Sequence, residues 1–277
     1  MPPVTPATRE VLAGGGTVIT ATHRLARTLR LDWDRSQAAA GLGVWPGADI
    51  LPLDAWIQRC WDAAVVLDTP SGTRRLLSEE ECRLLWWRVI ARWAERNGSA
   101  AADIGVLVPL ASSGWRLCQT WGISAAELQT AADSGDARAF SQWVHAYQGL
   151  LQDGEWLDIT GAMQALTAEL SAGLLPLPQY IGWMAFDPWP PAYAALGKAL
   201  ADAGCTVETL WPTARAGETG VVSCLDEADE LVQAGWWARQ RLDESPHAQV
   251  AIIVPELGQR AAAVRRSLLE ILAPGWQ

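Results

Sequence analysis

Residues 17–36 read TVITATHRLARTLRLDWDRS, and the fold turns on how they are understood. The β-branched run Thr17-Val18-Ile19-Thr20 predicts a short strand and Ala21-Thr22-His23 a tight turn. From Arg24 to about residue 40 the pattern is helical, with Leu25, Leu29 and Trp33 on one side and Arg24, Arg27, Arg30 and Arg35 toward the other. Strand, turn and helix in that order is the layout of a phosphate-cradling loop, because a helix N-terminus offers free N–H groups and a positive dipole end to an anion. The glycines and the Lys-Ser/Thr pair of a working P-loop are missing. Thr20, Thr22, His23 and Arg24 therefore stand either as a degenerate nucleotide-like turn or as a plain cap, with Thr22 closing the helix and the arginines forming its solvated face.

Working outward, Asp49-Ile50-Leu51-Pro52 predicts a brief strand and residues 53–64 a helix carrying Trp56 and Trp61. Between 78 and 173 the character changes to four or five consecutive helices. Ser78 with Glu81, and Ser124 with Glu127, are capping boxes. Cys82, Leu85, Trp86, Val89 and Trp93 form one apolar stripe and Phe140, Trp143, Val144, Tyr147 and Leu151 another. Met163, Leu166 and Leu170 form a third.

Alternation resumes at Tyr180-Ile181-Gly182-Trp183-Met184-Ala185-Phe186, a continuous apolar run suited to a strand buried on both faces. A helix opening at about Pro188, a strand at 205–211, a strand at 221–224, a helix at 226–242, a strand at 249–254 and a helix at 259–272 follow. Strands separated by helices imply a parallel sheet with helices on both faces and right-handed crossovers. The helical block is then an insertion into that sheet. In such sheets ligands bind outside the carboxyl ends of the strands, which singles out the turn after Thr20 and the strand end at Asp187. Asp187 is a degenerate acidic motif or a cap for the helix after it. Neither place holds the groups that conventional ATP hydrolysis needs, so no cofactor is expected unless Arg24 and Asp187 replace the missing ligands of ATP and Mg2+.

A formal charge of −10 argues against a broad nucleic-acid grip while leaving room for a local basic strip. The 17 tryptophans sit inside apolar patterns, which makes most of them core or interface material. The five cysteines are odd in number, scattered among hydrophobic neighbours and read as reduced thiols. Three histidines, none at ligand spacing from a cysteine or paired carboxylate, give no metal site. No basic, apolar leader precedes a cleavage site and no stretch has 18 uncharged apolar residues, so a cytoplasmic, membrane-free protein is expected.

The order of segments VITATHRLARTLR, ADILPLDAWIQRCW, a helical insertion, YIGWMAFDPWPPAYAALGKAL, and DEADELVQAGWWARQRL with QVAIIVPEL resembles the N-terminal part of AddB/RecB/RecC-like helicase-nuclease proteins. Within them it is similar to a bacterial group of DNA repair proteins whose longer members add a C-terminal PD-(D/E)XK nuclease. The resemblance implies a RecA-like (P-loop NTPase-like) helicase domain from 1–76 and 176–217, a helical insertion at 77–175, and the truncated start of a second RecA-like domain at 218–277. It implies a fragment that is not catalytic alone and serves as a DNA-binding or scaffold module at DNA ends. Its partners would be DNA and the rest of a longer protein, or a motor or nuclease subunit. Arg24, Arg27 and Arg30 would be the DNA phosphate contacts. Two other expectations stand beside it: a nucleotide-dependent enzyme with a non-standard phosphate site, and a protein–protein assembly module using the tryptophan-rich helices.

Overall fold

The computed structural model describes residues 5–98, 103–211 and 219–275, and the chain divides into two compact units, Met1–Arg215 and Ala216–Gln277. The expected boundary between 217 and 218 lies outside the described residues. In chain order the first unit begins with α1 (Pro6–Ala13), β1 (Thr17–Thr20), α2 (His23–Ala39), β2 (Ile50–Pro52) and α3 (Leu53–Val66). It continues with β3 (Arg75–Leu76), α4 (Glu79–Arg96), α5 (Ile104–Thr120), α6 (Ala125–Ala131), α7 (Gly135–Asp153) and β4 (Trp156–Leu157). It ends with α8 (Ile159–Ser171), β5 (Tyr180–Met184), α9 (Pro191–Asp202) and β6 (Thr206–Leu210).

β1 and β5 lie side by side although the whole helical block separates them in sequence. The sheet runs β2-β1-β5-β6 with every pair parallel, Thr17 opposite Ile181 and Val18 opposite Gly182. Strand periodicity sends alternate side chains to opposite faces. Val18, Ile50, Met184 and Leu210 pack under α1 and α2 through Val11, Ala26 and Leu29. Ile19, Ile181 and Trp183 pack against α3, α8 and α9 through Trp56, Leu166, Leu170, Leu196 and Leu200. The protein is thus an α/β fold with helices on both faces of a small parallel sheet. Gly16 lets α1 and β1 meet: a Cβ there would sit 2.7 Å from the Tyr180 carbonyl oxygen and 2.8 Å from that of Val11.

Helices α4 to α7 have a core of their own, in which the Trp86 and Tyr147 rings stack at 4.1 Å and 11° and Ile90, Trp115 and Val144 complete the interior. Ser78 and Glu81, and Ser124 and Glu127, close the two capping boxes. β3 and β4 pair in parallel, Arg75 opposite Trp156, at the neck where this block leaves and rejoins the chain. α8 falls within 77–175, yet its Ala162, Met163, Leu166 and Leu170 belong to the core beneath the sheet. Trp87 and Trp121 stay on the surface.

In the second unit, α10 (Glu227–Glu244) and α11 (Leu257–Leu272) pack together, with Gly235 close to Leu268 and Ile271 and an ion pair of 2.7 Å between Arg260 and Glu227. The expected strands at 221–224 and 249–254 do not form: neither segment takes regular secondary structure or pairs with another strand, and Val221 and Ile253 are 96% and 92% exposed. Local β propensity needs a ladder partner, and these segments have none among the described residues.

Candidate functional site

From β1 the chain moves to β2 across the face that α2 covers, and from β5 it moves the opposite way to β6 across the face that α9 covers. The winding therefore reverses between β1 and β5. That reversal opens a crevice at the carboxyl ends of these two strands, the usual ligand position in an open α/β sheet. The turn after Thr20 and the segment 185–187 both lie at this end, joined by a hydrogen bond from the Ala21 N–H to the Met184 carbonyl (3.3 Å). Ala185 has φ 57°, a left-handed conformation that ends β5 abruptly and sends Phe186 into the core.

The residues singled out from sequence are brought together only in part. Thr20 is fully buried, its hydroxyl donating to the Thr22 carbonyl at 3.0 Å. Thr22 is extended (φ −144°, ψ 149°), and its Oγ1 accepts from the Leu25 N–H at 3.2 Å, so it caps α2. His23 reaches across to β2's following helix, its Nε2 2.8 Å from the Asp54 carboxylate. Arg24 and Arg27 are exposed and, among the described residues, without an ion-pair partner. Arg30 departs from the expected strip: its guanidinium donates to the Ile50 carbonyl, tying α2 to the edge strand β2. An edge strand has unpaired carbonyls to offer, and a long side chain from the neighbouring helix takes one.

Asp187 corrects another expectation. It is exposed and caps nothing, because α9 starts three residues later than expected, with Pro190 at the N-cap and Pro191 at the first helical position. The donor set does not fit a magnesium nucleotide. Thr22 is engaged as a cap, no lysine follows it, and a single carboxylate stands at the end of β5.

A cleft of about 370 Å³ lies beside the turn, between the carboxyl end of the sheet and the helical block. His23, Asp54 and Gln58 form its sheet side; Cys82, Trp115, Tyr147 and Asp158 line the opposite side. Asp158, which caps α8, accepts from the Gly161 N–H at 2.8 Å and from Gln119 Nε2 at 3.4 Å. Burial pushes its carboxyl above the ordinary range, against the opposing pull of these bonds and of Arg116. Burial also raises the Tyr147 phenol, helped by the neighbouring Asp158 and Cys82, and raises the Cys82 thiol, so neither is poised as an anionic nucleophile. Trp115 contributes a buried Nε1–H with no acceptor. Sequence reasoning missed Asp54, Asp158 and Tyr147 as neighbours of the turn. Asp158 is recognisable alone as an N-cap, but its partners arrive only through tertiary packing.

A pH dependence follows from Asp158. Its folded form holds a proton more tightly than the unfolded chain does, so ionisation costs stability and protonation relieves that cost. Asparagine caps equally well and carries no charge. Wild-type protein should therefore lose stability relative to Asp158→Asn as pH rises from about 4 toward neutrality. Urea unfolding of both proteins across that range checks it; a stability difference that does not change with pH contradicts it.

Comparison of the sequence with protein-family models finds no match, and comparison with curated proteins finds none either. Among the described residues no helix is long and apolar enough to cross a membrane.

Proposed function

We propose that the chain is the motor-like N-terminal region of a DNA repair helicase-nuclease, RecA-like in descent, whose nucleotide turn has lost its hydrolytic equipment and which serves in the cytoplasm as a DNA-binding or scaffold module. The observation that carries this reading is the reversal of winding between β1 and β5, with a strand–turn–helix of P-loop layout at that point whose threonine caps the helix. The insertion of α4 to α7 between the two central strands supports it, since it matches the segment order that suggested the kinship. In place of a phosphate cradle, the free Arg24 and Arg27 at the start of α2 offer weak, salt-sensitive contacts to DNA phosphates.

The test uses the full chain, a labelled duplex with free ends, and ATP. Expected are DNA binding at low salt, a few-fold weakening in Arg24→Ala/Arg27→Ala, and ATP turnover at background. No DNA binding at low salt rejects the module. ATP turnover that disappears in Asp187→Ala would establish the enzyme reading in its stead.

A further inference from the structure

A second basic strip lies away from the turn. On α4, Arg88, Arg92 and Arg96 follow one another at four-residue spacing, all exposed, on one face of the helix. At 1.5 Å rise per residue they stand about 6 Å apart. Several other helical arginines have carboxylates beside them, as in Arg83 with Glu79 at 2.9 Å, Arg239 with Asp243 at 3.0 Å, and Arg241 with Glu244 at 2.9 Å. Among the described residues Arg88, Arg92 and Arg96 have no ion-pair partner; Arg96 Nε donates only to the Arg92 carbonyl, at 3.2 Å. Like charges at this spacing repel along a helix. Keeping three together in a chain of formal charge −10 leaves a local cationic strip whose neutralisation would come from an anion.

The strip borders a groove. Two adjoining depressions of about 820 and 470 Å³ run between α4 and α7 and share Arg96 and Ala146. Trp93, Gln142 and His145 line the first; Arg88, Arg92 and Leu150 line the second, and Glu95 is the single carboxylate along both. The Trp93 ring is half-buried and held in place, its Nε1 donating to Gln142 at 2.8 Å and its ring meeting that of Trp143 in a T-shaped contact, centroids 5.3 Å apart. A held aromatic ring beside a cationic strip is the combination that takes an unpaired base with its phosphates, whereas a duplex keeps its bases stacked away from such a ring.

We propose that the α4–α7 groove binds single-stranded DNA, with Arg88, Arg92 and Arg96 on successive phosphates and Trp93 as a stacking platform for a base. This rests on the DNA-module reading above and deepens it, by assigning the main DNA contact to the inserted helices.

The experiment is fluorescence anisotropy of a labelled oligothymidine with the full chain at two salt concentrations. The variant Arg88→Ala/Arg92→Ala/Arg96→Ala should bind about tenfold more weakly at low salt, and its log–log salt dependence should be shallower by about 2, as expected for three lost single-strand phosphate contacts. The lysine triple variant should stay within a few-fold of wild type, and circular dichroism should show all three proteins equally folded. Wild-type binding with the alanine variant unchanged in affinity and salt slope overturns this inference and leaves the DNA-module reading standing. Loss of both DNA and phosphatidylserine-vesicle binding in equal measure also overturns it, because the strip would then be a general anion surface. Absence of any wild-type DNA binding rejects the module reading itself.

Discussion

Replacing Trp183 with alanine is expected to destabilise the first unit by about 3–5 kcal/mol, the range for truncating a large buried aromatic residue. Trp183 lies in β5 with no exposed surface, opposite Ile19 of β1. Its ring meets Phe186 and Trp189 edge-on, with centroids 4.9 and 5.0 Å away. The surrounding side chains come from both strands and from α8 and α9, which are held by the sheet and cannot collapse into the space. Trp183→Phe should cost far less, since it retains most of the packing and removes a buried Nε1–H that has no acceptor. Denaturant unfolding measures both. An alanine variant within about 1 kcal/mol of wild type would mean that β5 is not a central strand.

The second large effect is expected at Glu169 on α8, which is 5% exposed and pins the loop that follows α3. Its carboxylate accepts from Thr69 Oγ1 at 2.9 Å and from the Ser71 N–H at 2.6 Å, with Thr69 and Ser71 themselves buried. The loop is tightly placed, since a Cβ on Gly72 would meet the Ala64 carbonyl oxygen at 2.5 Å. Glu169→Leu leaves both buried donors without acceptors, at a cost of roughly 3 kcal/mol or more. Glu169→Gln keeps one acceptor oxygen and should lose about half as much. Unfolding midpoints of the three proteins distinguish these outcomes; a leucine variant as stable as wild type would remove the loop-pinning role.

Much of the sheet was legible before the structure. The β-branched run at 17–20 and the apolar run at 180–186 carry their strand character locally, and Thr22, Ser78 and Ser124 announce helix starts through side-chain chemistry that needs no tertiary partner. What stayed hidden has a common cause. α1 is eight residues long and squeezed between prolines and a glycine run, so its only signal is Thr5 capping a helix with Pro6 at its first position. β3 and β4 have two residues each and exist by pairing with one another across the helical block. At 249–254 the reverse holds: apolar residues suited to a strand remain unpaired. The candidate site divides in the same way. The cap by Thr22 follows from the residue type. The Arg30 bond to Ile50, the His23–Asp54 pair and the gathering of Cys82, Tyr147 and Asp158 depend on contacts between distant segments.

The central claim is that β1 and β5 are neighbours in one parallel sheet, despite the helices inserted between them. Methyl-to-methyl NOEs in a sample labelled at isoleucine and valine test it most directly, because Ile19 and Ile181 share one face of the sheet, while Val18 and Ile50 share the other. The fold predicts cross-peaks between Ile19 and Ile181 and between Val18 and Ile50. A folded protein showing the second but lacking the first would place β1 and β5 in separate sheets and remove the basis for the proposed function.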